Sequence, residues 1–307
     1  ILFRFYPSEG ALLEAYSIGE VESINTISAQ KTTYVSRPES VLRHTTLPRI
    51  FGVFFNQNQA TVFTQKEVRD ALANVTDRKE IIDTVLGGYG TAIYGPIPAS
   101  FLGQSEPTQA STTMASRITV AQAALKKAGW KPGKDGTLEK KVGKTTYKLA
   151  FSIATSNAEE LARTAAIIKS QWEKIGAKIT INTSEQGDFN QTILRPRKYD
   201  AVLFGEVIGR DLDLYAFWHS SQRNDPGANI ALYTNSRADK ILEEARTTTD
   251  QTAQFSKIAD FEAEISKDNP AIFLYSPEFI YLLPKTSQNF QMQKPTDPSA
   301  RFAKIPS

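Results

Sequence analysis

Apolar positions along this chain follow two spacings, one of strands and one of helices, and the two alternate from end to end. Ile1 to Tyr6 alternates like a strand, and a helix follows Ser8 with Ala11, Leu12, Ala15 and Tyr16 on one face. Gly19 stops that helix, and Val21 to Ile27 reads as a second strand, so the opening is a β-α-β unit. Thr26 to Pro48 is polar and reads as loop with one short helix at Glu39 to Arg43. Phe51 to Asn56 is a strongly apolar strand. Thr64 stands where a cap is needed for a helix carrying Val68, Ala71, Leu72 and Val75, and Asp77 for a second carrying Ile81, Ile82 and Val85, ended by Gly87-Gly88. Tyr89 to Thr113 lacks periodicity and is a long covering loop, before a helix from Ser116 to Ala128.

A hairpin turning at Gly143-Lys144 comes next, then a helix from Asn157 to Ile175, a strand from Ala177 to Thr183 and a short helix from Asp188 to Leu194. A strand over Tyr199 to Phe204 leads to helices begun by Ser236 and Asp250, and two strands, Ala271 to Tyr275 and Phe279 to Leu283, close the pattern. This alternation predicts an α/β fold with mixed sheets. The apolar strands at Phe51 and Ala271 bracket a large middle block whose flanks are each too small to fold alone. An inserted lobe, with those strands as the crossings of a hinged two-lobed clamshell, accounts for this.

Composition narrows the function classes. Among 307 residues, 36 basic and 33 acidic side chains leave a net charge of +3, which gives no basic face for nucleic acid. There is no cysteine and there are two histidines, His44 and His219, so thiolate sites are excluded and a multi-histidine metal centre is implausible; no cofactor is implied. The chain opens Ile1-Leu2-Phe3, without a basic-then-apolar leader, as expected of a segment of a longer precursor.

The candidate site is Tyr199 to Asn235. A buried strand ends there in Gly205 and Glu206, followed by Gly209, Arg210, Asp211 and Asp213, with Tyr215, Phe217 and Trp218 close behind. Ligands of open α/β sheets sit beyond the carboxyl ends of the strands, and glycines allow close approach there. The competing reading is a solvated loop whose aromatics cap a core.

Ordered pieces along nearly the whole chain carry a family resemblance. They are FNQN at Asn56, FTQKEVRDAL with Arg69, DRKEII from Asp77, AALKKAGW to Trp130, EKIGAKI at Gly176, YDAVLFG, DLD from Asp211 to Asp213, GAN at Asn229, YTN at Asn235 and DNPAIFLY at Pro270. In this order they resemble the extracellular solute-binding proteins of family 5, the peptide- and nickel-type receptors of ABC importers. The resemblance implies a periplasmic-binding-protein-like fold (type II, the large cluster-C form), no catalysis, and delivery of a peptide or other small ligand to ABC permease subunits. It implies an extracytoplasmic, monomeric protein that meets the membrane only through a lipid anchor on a preceding region. Residues 1–56 then belong to lobe 1, 57–271 form lobe 2, and 272–307 return to lobe 1.

The resemblance also supplies an acid after the YDAVLFG strand for the ligand's ammonium group. Glu206 and Asp211 both fit, and Asp213 fits capping equally. Arg210 is a candidate for a carboxylate, Tyr215 and Trp218 for pocket walls, and Asn229 and Tyr233 for the cleft side. Two further readings are a nickel or other metal complex as cargo, and a peptide-sensing module. A hydrolase built on His219, Ser220, Ser221, Asp211 and Asp225 ranks below binding, because no nucleophile elbow surrounds either serine.

Overall fold

A computed structural model describes residues 2–25, 27–28, 31, 37–107, 112–209 and 212–287. Its centre is an eight-stranded mixed sheet. The strands are β1 (Ile24–Asn25), β2 (Ser40–Thr46), β3 (Arg49–Phe55), β4 (Gly90–Ala92), β8 (Ala150–Ser156), β9 (Lys178–Ser184), β10 (Ala201–Val207) and β11 (Ala271–Pro284). A separate three-stranded ribbon comprises β5 (Lys131–Pro132), β6 (Leu138–Val142) and β7 (Thr145–Lys148). The main order is β1-β11-β3-β10-β8-β9, with β2 and β4 also on β11. Strands β8, β9 and β10 run parallel, and β3 lies antiparallel to both β10 and β11.

Strand period 2 sends alternate side chains to two cores. Val53 and Phe55 of β3, with Ala201 and Leu203 of β10, face a core built with α2 (Lys66–Val75), α3 (Arg78–Leu86), α4 (Met114–Lys127) and α5 (Glu159–Glu173). Ile50, Phe54 and Val202 face the other, which is closed by α6 (Gln186–Phe189), α7 (Tyr215–Trp218), α8 (Ser236–Thr247) and α9 (Gln251–Asp268). The result is a three-layer α/β/α unit.

Capping chemistry sets several helix ends. Asp77 accepts a hydrogen bond from the Glu80 amide at 3.0 Å and pairs with Arg117, while Gly87 ends α3 at φ 56°. Asn235 accepts from the amides of Arg237 and Ala238, so it, and not Ser236, caps α8. Thr64 does not cap α2; its hydroxyl donates to the Thr61 carbonyl.

The family-like polar residues act as ties. Asn56 accepts from the amides of Asn58 and Gln59 and donates to the Arg197 carbonyl. Arg69 donates to the Asp268 and Phe63 carbonyls, joining α2 to the end of α9.

The amino-terminal expectations fare worse. Among the described residues, 2–6 form no strand and the strand expected over Val21 to Ile27 shortens to β1, antiparallel to β11, so the described opening is not a β-α-β unit. Of the stretch expected as a short helix at Glu39 to Arg43, all but Glu39 belongs to β2, whose β-branched and apolar residues pair with β11. The two closing strands are one, β11, running past Pro277 because that residue pairs at the short edge strand β4. The first half of β11 lies in the large cores. Its second half packs with Tyr16, Ile24 and Ile27 on one face and with Leu47 on the other.

Candidate functional site

The three parallel strands β8, β9 and β10 end on one edge, at Ser156, Ser184 and Val207. Helix α5 starts three residues after β8 and α6 two residues after β9, and Arg49 of antiparallel β3 enters opposite Val207. Two adjoining cavities open at this edge and share Phe204, Gly205 and Val207.

The first, about 310 Å³, is bounded by Arg49, Phe51, Ser156, Glu160, Gln186 and Asn190. Its chemistry is mixed. The Arg49 Nε is buried without a hydrogen-bond partner among the described residues. Burial raises the Glu160 carboxyl, opposed by the Tyr275 hydroxyl, which donates to it at 3.2 Å, and by the charge of Arg49. Phe51 can lie flat here because position 205 has no side chain: a Cβ on Gly205 would stand 2.6 Å from the Phe51 ring. The second cavity, about 280 Å³, has walls from Leu194, Phe217, Pro226 and Ile230, together with Arg195, Arg197 and Glu206. Glu206 is 5% exposed and neither carboxyl oxygen has a hydrogen-bond partner among the described residues. Burial pushes its carboxyl well above the usual carboxylate range.

The sequence candidates separate on this geometry. Glu206 lines the sheet-edge cavity. Arg210 and Asp211 lie outside the described residues. Asp213 accepts from the Tyr215 amide at 3.0 Å and pairs with Arg246 at 3.1 Å, beside a third cavity of about 270 Å³ between α8 and α9. It therefore holds the turn that leads into α7 and lines neither sheet-edge cavity. Tyr215 stacks on His219 with ring centroids 4.1 Å apart and carries the Arg246 guanidinium on its ring.

Three expectations about cleft residues need correction. Trp218 is fully buried against Phe54, Tyr233, Phe261 and Phe273, so it is core and offers no wall. Asn229 is fully buried; its amide donates to the carbonyls of Trp218, His219 and Tyr233 and accepts from the Tyr233 amide, which fixes the loop. Tyr233 is 4% exposed and its hydroxyl donates to Asp268 at 2.6 Å. His219 holds a turn, its Nδ1 accepting from the Ser221 amide at 3.1 Å, and Ser220 is bonded to Asp239.

Arg49, Glu160, Gln186 and Asn190 escaped the sequence reading. They lie far apart in the chain, and their one shared signal is position at a strand or helix end on the same sheet edge.

Comparison with known proteins accords with this architecture. The family model described as bacterial extracellular solute-binding proteins, family 5 Middle, matches residues 1–239. The oligopeptide-binding protein AppA of Bacillus subtilis is 25% identical over 301 residues, covering 97% of this chain and 54% of its own length, so the chain spans about half of that relative. The structure of AppA with a nonapeptide superposes with a TM-score of 0.75 at 24% identity, over 91% of this chain and 55% of that one. NikZ of Campylobacter jejuni with Ni(L-His) gives 0.71 at 21%, over 90% and 55%. The fold is that of periplasmic binding proteins.

Proposed function

We propose, from the premise that this chain belongs to the bacterial extracellular solute-binding proteins of family 5, that it is the main ligand-gripping part of the substrate-binding component of an ABC importer, and that its solute is a peptide. One observation supports the reading: the carboxyl edge of the sheet opens into two adjoining cavities whose aromatic and apolar walls carry Arg49 Nε and the Glu206 carboxyl, buried and without a hydrogen-bond partner among the described residues. A peptide presents the complementary set. Its carboxylate suits the Arg49 guanidinium, its ammonium group suits Glu160, and its amides suit Ser156, Gln186 and Asn190. Phe51 and Phe204 supply faces for side chains. None of these groups is arranged to make or break a bond, so the solute is held and released unchanged.

In this reading residues 57–271 form one lobe, and 1–56 with 272–307 belong to the other. The paired strands β2-β3 and β11 are the crossings. The small apolar clusters around the second half of β11, set apart from the two large cores, support that boundary. The family is extracellular; delivery to permease subunits, action as a monomer and anchoring through a lipid on a preceding region complete the proposal.

Native mass spectrometry of the gently purified full-length protein tests it. A heterogeneous set of bound peptide masses is expected. A single defined metal-complex mass would replace peptide by a chelated metal as the solute, and no adduct together with no binding of added tripeptides would contradict solute capture.

A further inference from the structure

Glu206 stands out among the charged side chains of the second cavity because its neighbours are already committed. Arg197 donates from Nε to the Arg223 carbonyl at 3.2 Å, and from its two Nη atoms to the carbonyls of Leu194 and Gly227, each at 2.7 Å. Arg195 donates from Nε to Asp225 at 2.8 Å. The Tyr199 hydroxyl, on the approach to β10, donates to the Ile230 carbonyl at 2.7 Å. Across the ladder Glu206 meets apolar Ile50, and Arg49 beyond it lines the other cavity. Among the described charged residues of this cavity, Glu206 alone has both carboxyl oxygens without a hydrogen-bond partner, buried at 5% exposure. A buried acid in that state is costly and calls for a reason.

The rest of the wall supplies one. Leu194, Phe217, Pro226 and Ile230 make the sides apolar, and a volume of about 280 Å³ suits one long side chain better than a whole ligand. Apolar sides ending in one unpaired acid match an aliphatic stem that carries a cation at its tip. We infer that this cavity is a subsite for a basic side chain of the captured solute, with Glu206 as the anion that meets its ammonium or guanidinium group. The inference rests on the solute-capture reading above and adds a selectivity to it.

A consequence follows for protons. Burial favours the neutral form of Glu206 in the free protein, and an arriving cation favours the charged form. Binding of a basic side chain therefore drives off a proton, and its affinity rises with pH, by up to about tenfold per unit, until the free carboxyl itself ionises. Among the described residues, Arg195, Arg197, Asp225 and Tyr199 are the other titratable groups of the surroundings, and each is held by the hydrogen bonds described.

The test is calorimetric titration of the full-length protein with alanine-based tripeptides that carry one lysine or one norleucine at each position in turn, in buffers of different ionisation heat. The expected result is that at one position lysine binds at least about tenfold tighter than norleucine and releases a proton. In Glu206→Gln and Glu206→Met both the preference and the release disappear, while norleucine peptides bind within about twofold of the parent and melting temperatures do not fall. Equal affinity for lysine and norleucine peptides at every position, with no proton release, would overturn the basic subsite and leave solute capture standing. Failure of every tripeptide and of co-purified solute to bind would overturn both.

Discussion

Phe51 and Tyr275 are direct partners across the β3-β11 ladder, and their rings stack with centroids 5.2 Å and planes 22° apart. The pair joins the two crossing strands at the cavity mouth, and the Tyr275 hydroxyl continues the connection to Glu160 on α5. Gly205 is what gives Phe51 its room. In Gly205→Ala the new Cβ, 2.6 Å from the ring, displaces it. The expected cost is about 1–3 kcal/mol in denaturant unfolding, together with weaker solute binding, because the displaced ring closes the first cavity.

Arg49 is the cation of that cavity. Arg49→Met keeps the aliphatic reach and removes the charge. Binding titrations are expected to show about a tenfold loss for peptides with a free carboxylate and little change for the same peptides amidated.

Asn229 shows what a loop-fixing residue does by contrast. It makes four hydrogen bonds with main-chain groups and lines neither sheet-edge cavity. Asn229→Ala strands buried main-chain groups and is expected to lower stability by about 2–4 kcal/mol in chemical denaturation. Solute affinity of the folded protein stays near that of the parent.

Glu262 gives a pH signature. Burial first, then the neighbouring Glu106 carboxyl, raises it from 4.5 to about 7. An acid with a raised folded value binds more protons folded than unfolded between those two values, so stability falls as pH rises from about 4.5 to about 7 and is level above. Glu262→Gln removes this contribution. Melting curves are expected to show the variant gaining about 2 kcal/mol over the parent at pH 8 and little at pH 4, after allowing for the partial exposure of the side chain.

The layers of this fold were legible because α2 to α5, α8 and α9 carry clear helical stripes and β3, β8 and β10 carry apolar runs. Gly87 and Asp250 marked ends for stereochemical and capping reasons. The segment before Arg49 misled because strands there depend on a distant partner: β2 exists through its ladder with β11, more than two hundred residues on. Within the site, Glu206 was legible as a charge at a strand end. Trp218, Asn229 and Tyr233 follow that strand end in sequence, but sequence shows proximity and not direction, and their side chains turn into the core or bind the loop. Arg49 and Glu160 left no local mark, since only the meeting of β3, α5 and β10 at one edge brings them together.

Hydrogen–deuterium exchange of the full-length protein, stripped and then reloaded with its co-purified solute, tests the central claim most directly. Ligand contact at the carboxyl edge of the sheet predicts that protection on loading concentrates in residues 49–55, 156–161, 186–190 and 204–207. Protection confined to α8, α9 or the β5-β7 ribbon, with those four segments unchanged, would contradict it.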